Sequence, residues 1–220
     1  MHDQQLRNFY LQQMGIDVWV ERQINPCNDE KLKKLAREVA ACKRCTLHKT
    51  RSRTVFARGN PNSNLMIIGE APGYYEDKQG MPFVGKAGQL LNKMLKTIGL
   101  MEEDVYIANV LKCRPPDNRD PKREELDACT GFLREQIKLI DPKLILAVGR
   151  FAGSCLIGKT LPLNAMRNKI HQYQQKPVLV SYHPAYLLRN PADKKKAYQD
   201  LLAVRQFLSG LSFKNKDYWT

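Results

Sequence analysis

Four short apolar runs, Leu65 to Gly69, Val105 to Val110, Leu144 to Val148 and Val178 to Tyr182, recur along the chain with helical patterns between them. Runs of this kind, apolar on both sides of the strand, are buried on both faces, and a sheet buried on both faces needs helices above and below it. The chain therefore reads as an α/β protein with an open central, mostly parallel four-stranded sheet and helices on both faces. One helix carries Leu32, Leu35, Ala36, Val39 and Ala40 at helical spacing over Lys31 to Ala41. A second starts at Lys86, with Ala87, Leu90, Leu91, Met94, Leu95 and Ile98 on one face and Gly99 as its stop. Asp120-Pro121 supplies an N-cap and first-turn proline for a third that runs to Ile140. A short helix follows Gly149, and Asp193 to Leu208 closes the fold.

The breaker-rich stretch Asn25-Pro26-Cys27-Asn28-Asp29 sets residues 1–29 apart as an appendage. The body then spans residues 30–212 and a short tail 213–220. At 220 residues the chain can bury a full core without disulfide support. Its first twenty residues hold no continuous apolar segment, and no run is long enough for a membrane span, so the expectation is a cytoplasmic protein with no membrane association. In a reducing compartment its six cysteines read as metal ligands or buried thiols. Lys and Arg outnumber Asp and Glu by 36 to 22, a net +14 that favours a polyanionic partner.

The chemistry-bearing residues sit at strand ends. Gly69-Glu70-Ala71-Pro72-Gly73 follows the first run, Asn109 ends the second, and His183-Pro184 follows the fourth. In an open parallel sheet these ends share one crevice, the place where ligands bind. The other histidines, His2, His48 and His171, read as ordinary surface or core residues, and Lys194-Lys195-Lys196 as a solvated helix start. A second constellation is Cys42-Lys-Arg-Cys45 with Cys113 and Cys129. Four thiolates complete either a tetrahedral zinc site or an iron–sulfur cluster, and spacing does not separate the two; His48 could also join Cys42 and Cys45 in a mixed zinc set. Cys129 shares an apolar helix face with Leu126, Phe132 and Leu133, so on its own it reads as a buried thiol, as do Cys27 and Cys155.

Taken together, Gly69-Glu-Ala-Pro-Gly73, Glu76-Asp77, Pro82-Phe83-Val-Gly85, Asn109, Cys113-Arg-Pro115 and His183-Pro-Ala-Tyr-Leu-Leu-Arg189 resemble the iron–sulfur, or family 4, uracil-DNA glycosylases over Leu35 to Gly210. The resemblance implies hydrolysis of the bond between uracil and deoxyribose, leaving an abasic site. It implies a [4Fe-4S] cluster on Cys42, Cys45, Cys113 and Cys129. It gives Phe83 the role of stacking on a base flipped out of the helix, Asn109 that of reading its edge, and His183 that of stabilising the departing uracil. Glu70 is the expected water-orienting carboxylate, with Glu76 and Asp77 as rivals. Ala71 and Gly73 are expected against the base, Gly73 by allowing close backbone approach, and the better-known branch carries aspartate where Ala71 stands. Leu187 is the expected wedge and Arg189 a phosphate contact.

The expected partner is uracil-containing DNA, single- or double-stranded, met by a monomer on the nucleoid. A uracil-trapping relative carries a histidine in the loop matching Arg114-Pro-Pro-Asp-Asn-Arg-Asp120; this chain has none there, which favours turnover. A non-catalytic nucleic-acid module held by a metal would explain charge and cysteines but not Glu70, Phe83, Asn109 and His183 together. Finally, Tyr10-Leu-Gln-Gln-Met-Gly-Ile-Asp-Val-Trp19 resembles the amino-terminal peptide by which the psi subunit of the bacterial replicase binds the clamp loader, which makes residues 10–19 a candidate contact for that partner.

Overall fold

The computed structural model describes residues 26–210. The proposed partner peptide and the tail 213–220 lie outside them. Four parallel strands form the centre: β2 (Leu65–Gly69), β3 (Val105–Asn109), β4 (Leu144–Val148) and β6 (Lys176–Ser181). Two short strands add antiparallel edges, β1 (Arg58–Gly59) beside β3 and β5 (His171–Tyr173) beside β6. The expected four-stranded sheet is thus six-stranded, in the order β1-β3-β2-β4-β6-β5. The β5–β6 hairpin escapes a sequence reading because its turn, Gln174-Gln175, puts two glutamines at positive φ (46° and 66°), where asparagine and glycine are the usual signal. The hairpin also starts β6 at Lys176, two residues earlier than the apolar run.

Alternation along the strands divides the interior into two layers. Met66, Ile68, Tyr106, Ala108, Ile145, Ala147, Val178 and Val180 face helices α1 (Pro26–Ala40), α4 (Arg123–Ile140) and α5 (Arg150–Ile157). Leu65, Ile67, Val105, Ile107, Leu144, Leu146 and Leu179 face α3 (Lys86–Lys96) and α8 (Lys194–Leu208). Two shorter helices, α2 (Tyr74–Gln79) and α7 (Pro184–Arg189), follow β2 and β6 at the carboxyl edge, and α6 (Leu163–Met166) lies between α5 and β5. Among the described residues no helix is long and apolar enough to cross a membrane.

Two helix starts differ from the sequence reading. α1 begins at Pro26, where a proline without an N–H costs a first turn nothing. α4 begins at Arg123 instead of Asp120-Pro121, with Lys122 at the N-cap and Glu125 in the first turn closing it: the buried Glu125 carboxylate accepts from the Lys122 N–H (2.9 Å) and pairs with Arg119 (2.6 Å).

A buried ion pair fixes the end of β6. Arg167, 5% exposed, donates through Nε and Nη2 to the two oxygens of Asp200 (2.9 and 2.8 Å), which also accepts from Ser181 Oγ (2.6 Å). The same guanidinium reaches Tyr182 Oη (3.2 Å) and the Lys196 carbonyl (3.0 Å). The pair so ties α8 to the two residues that precede His183, Arg167 through Tyr182 and Asp200 through Ser181. Removing one member of such a pair strands the other charge out of water. Arg167→Met should therefore cost about 3–5 kcal/mol in urea unfolding, and adding Asp200→Asn should recover part of that loss.

Candidate functional site

Register brings the site together. Gly69 pairs with Asn109, Ile68 with Ala147 and Val148 with Ser181, so all four central strands end level. Beyond them opens a cleft of about 430 Å³ lined by Glu70, Ala71, Gly73, Phe83, Asn109, His183 and Arg189.

Asn109 forms the floor. It is 2% exposed, and its Oδ1 is sealed from solvent without a hydrogen-bond partner among the described residues. Buried acceptors are nearly always satisfied, so an unpaired one on the lining of a cleft calls for a donor from outside the described residues, of which a ligand is one source. Phe83 covers the same space, 6% exposed, its ring 5.8 Å from that of His183. Gly69 permits this arrangement: a β-carbon there would lie 2.4 Å from Asn109 Oδ1 and 2.6 Å from the Phe83 ring.

The Phe83 backbone is held in a left-handed conformation, φ 55°, which is rare for a bulky residue. Two contacts hold it there. Glu76 Oε1 accepts from the N–H groups of Val84 (3.0 Å) and Gly85 (3.1 Å), and Gly88 lets α3 press so close that a β-carbon would fall 1.6 Å from the Phe83 carbonyl oxygen. This assigns the neighbouring carboxylates: Glu76 clamps the loop, and Asp77, 3% exposed, accepts the Ser52 N–H at 2.9 and 3.0 Å. A β-carbon on Gly73 would first meet Glu76 Oε2, at 2.7 Å, so the tight packing at Gly73 is against this clamp.

His183 follows β6. Burial, and next the charge of Arg189, lower its pKa to about 4, so the ring is neutral at pH 7. Its Nδ1 accepts from the Ala185 N–H (3.1 Å), which leaves the proton on Nε2. Glu70 enters the cleft half-buried, and its pKa is raised first by burial and then by the negative charge of Asp120, against the opposing charge of Arg150. Asp120 and Arg150 carry no motif signal; the fold alone brings them near Glu70.

On α7 the structure corrects one assignment. Leu187 has no exposed surface and packs with Tyr182 and Ala197, so it cannot serve as a wedge in this conformation. A helix turns by about 100° per residue, so the next side chain, Leu188, points outward, 44% exposed. Arg189 is exposed and lines the cleft.

Cys42, Cys45, Cys113 and Cys129 line one small pocket with Arg44, His48, Arg51, Lys112 and Phe132, and Ala71 packs against the same cysteine cluster. Arg51 Nη1 donates to Cys113 Sγ (3.1 Å), and the Lys112 N–H to Cys129 Sγ (3.3 Å). Among the described residues no three His, Cys, Asp or Glu groups meet closely enough to hold a metal ion. His48 Nδ1 lies 2.7 Å from the Cys45 carbonyl oxygen, and Cys155 stands apart near the start of α4. Lys112, which no motif singles out, is 1% exposed and spans both sites: its Nζ donates to the Asn109 carbonyl (2.7 Å) and Gln136 Oε1 (2.5 Å).

Residues 56–202 match the family model described as the uracil DNA glycosylase superfamily. The chain is 41% identical to a type-4 uracil-DNA glycosylase of Sulfurisphaera tokodaii, covering 80% of this chain and 84% of that one. It is 40% identical to proteins of the same description from Archaeoglobus fulgidus (80% and 92% covered) and Thermotoga maritima (82% and 96%).

The electrostatics at Glu70 can be tested without reference to any reaction. Asp120→Asn removes a negative charge that disfavours ionisation, so the Glu70 carboxyl should titrate at lower pH than in the parent. Arg150→Gln should move it up. Carbon-13 NMR of labelled glutamate reads both shifts.

Proposed function

Because the chain belongs to the type-4 uracil-DNA glycosylases of the uracil DNA glycosylase superfamily, we infer that the cleft binds a flipped deoxyuridine and hydrolyses its glycosidic bond, releasing uracil from DNA and leaving an abasic site. The orphaned Oδ1 of Asn109 carries this reading. Uracil N3–H supplies the donor that this atom lacks, while cytosine presents an acceptor at N3 and would leave the buried oxygen unpaired. Phe83 stacks on the extruded ring, and Ala71 bounds its pocket.

As the C1′–N1 bond breaks, its electron pair leaves with uracil and charge spreads to O2. The neutral His183, its proton on Nε2, donates to that oxygen, an interaction that strengthens as charge develops. Glu70 stabilises the cationic sugar and takes the proton of the water that adds at C1′. Burial keeps its carboxylate poorly solvated, which suits a base. Arg189 contacts a phosphate, and Leu188 takes the wedge position that Leu187 cannot fill.

The chemistry of the four cysteines fits a [4Fe-4S] cluster: four thiols around one pocket, lined by cationic side chains that suit an anionic thiolate cluster, with donors from Arg51 and Lys112 for two of the sulfurs. Four thiolates would also complete a zinc site, and it is the resemblance to the iron–sulfur branch that favours the cluster. Bound there, the cluster would supply a cross-link between Cys42, Cys45, the loop after β3 and α4. Burial pushes the Cys129 thiol up to about 11, so assembly must displace its proton. For residues 10–19 the reading is recruitment to a replication clamp loader; the support is the sequence pattern alone.

Two measurements test this account. With a uracil-containing oligonucleotide, His183→Ala should lower the single-turnover rate by about 10²–10³-fold with binding little changed; a wild-type rate would remove His183 from the chemistry. Cys113→Ser or Cys129→Ser should bleach visible absorption and lower stability, whereas a colourless, active protein with stoichiometric zinc would overturn the cluster.

A further inference from the structure

Two neighbouring tyrosines stand exposed, the first on the lining of the cleft and the second against Gly85. Tyr74 and Tyr75 open α2, 52% and 58% exposed, with ring centroids 5.4 Å apart and planes at 85°. Neither is spent on the core, although each ring carries apolar area that folding would gain by burying. Tyr74 lines the same cleft as Asn109, Phe83 and His183. Two cations lie over its ring, the Arg114 guanidinium 5.3 Å and the Lys78 ammonium 5.9 Å from the centroid. Arg114 is oriented by Asn118, whose Oδ1 accepts from its Nε at 2.9 Å and which also lines the cleft.

A nucleotide seated in the cleft is tied through phosphates to a neighbour on each side. An exposed aromatic pair next to two cations offers that neighbour a π-face for its base and positive charge for the linking phosphate, the two elements by which proteins hold single strands without reading sequence. In a duplex the neighbouring base stays paired and stacked on its own helix. In a single strand it is free to leave. We propose that Tyr74 and Tyr75 form a stacking platform for the unpaired base beside the flipped deoxyuridine, with Arg114 and Lys78 on the connecting phosphate, so that the protein holds single-stranded DNA better than its uracil pocket alone would. The proposal rests on the uracil-DNA reading of the cleft and extends it to the flanking nucleotide.

The test uses the full chain and a single strand carrying one 2′-fluorinated deoxyuridine, which resists cleavage because fluorine destabilises the cationic sugar. Companion strands replace the base on one side or the other with an abasic spacer. Fluorescence anisotropy should show the Tyr74→Ala/Tyr75→Ala variant binding the intact strand about tenfold more weakly than the parent. On one of the two spacer strands the parent should lose that same factor, and the variant should lose nothing further. Tyr74→Phe/Tyr75→Phe should restore binding, since phenylalanine keeps the π-face. Equal affinity of parent and alanine variant for the intact strand would overturn the platform. So would an equal loss by the alanine variant on the intact strand and on both spacer strands, which would assign the tyrosines a structural role. Failure of the underlying reading looks different: the parent itself would bind uracil and thymine strands alike and release no uracil.

Discussion

Everything at the site depends on the register of the parallel strands. Pairing Gly69 opposite Asn109 places the loop that starts at Glu70 beside the floor of the cleft, and the pairing of β4 with β6 brings His183 to the same height. A shift of one residue in any strand would exchange its two buried faces and carry its terminal residue away from the cleft. The two-layer core opposes that shift, because each central strand contributes to both layers and neither accepts the other's side chains without loss. The core thus specifies position as much as stability.

On this frame the cleft sets two titratable groups to opposite purposes by one means. Burial raises the Glu70 carboxyl and lowers the His183 imidazole, so both resist carrying charge. For histidine that resistance yields a neutral donor of fixed tautomer; for glutamate it yields a carboxylate that gains by meeting a cation or a proton. Asp120, which pushes Glu70 further, lies on the loop that begins at Cys113, so the cysteine pocket and the electrostatics of the cleft share one segment of chain. Lys112 joins the two from beneath, between the Asn109 carbonyl and Gln136.

Much of this was legible in the sequence because the signals were local. Apolar runs ending in Glu70, Asn109 and His183 report both the strands and the side of the sheet on which ligands meet. The edge strands were not legible: β1 has two residues and β5 three, too few for periodicity, and the Gln174-Gln175 turn relies on tertiary context to hold glutamines at positive φ. Leu187 was misread for a related reason. A motif gives the order of residues along α7 but not the rotation of the helix, and the neighbouring Tyr182 and Ala197 decide which leucine is inward. Asp120, Arg150 and Lys112 act through space on residues distant in sequence, and no spacing rule reaches them.

The left-handed Phe83 has a consequence for how this surface can change over time. Its conformation is tolerated only while Glu76 holds the next two amides, Gly88 yields to the carbonyl and Gly69 to the ring. Gly69, Glu76 and Gly88 each answer to Phe83 or to the amides that follow it, so a substitution at any of them is penalised unless the loop at Phe83 changes with it. Inheritance at positions 69, 76, 83 and 88 should therefore be collective, with lineages keeping the set whole or replacing it whole. The aromatic lid over the cleft is then a single unit of variation, spread over twenty residues of chain but passed on as one.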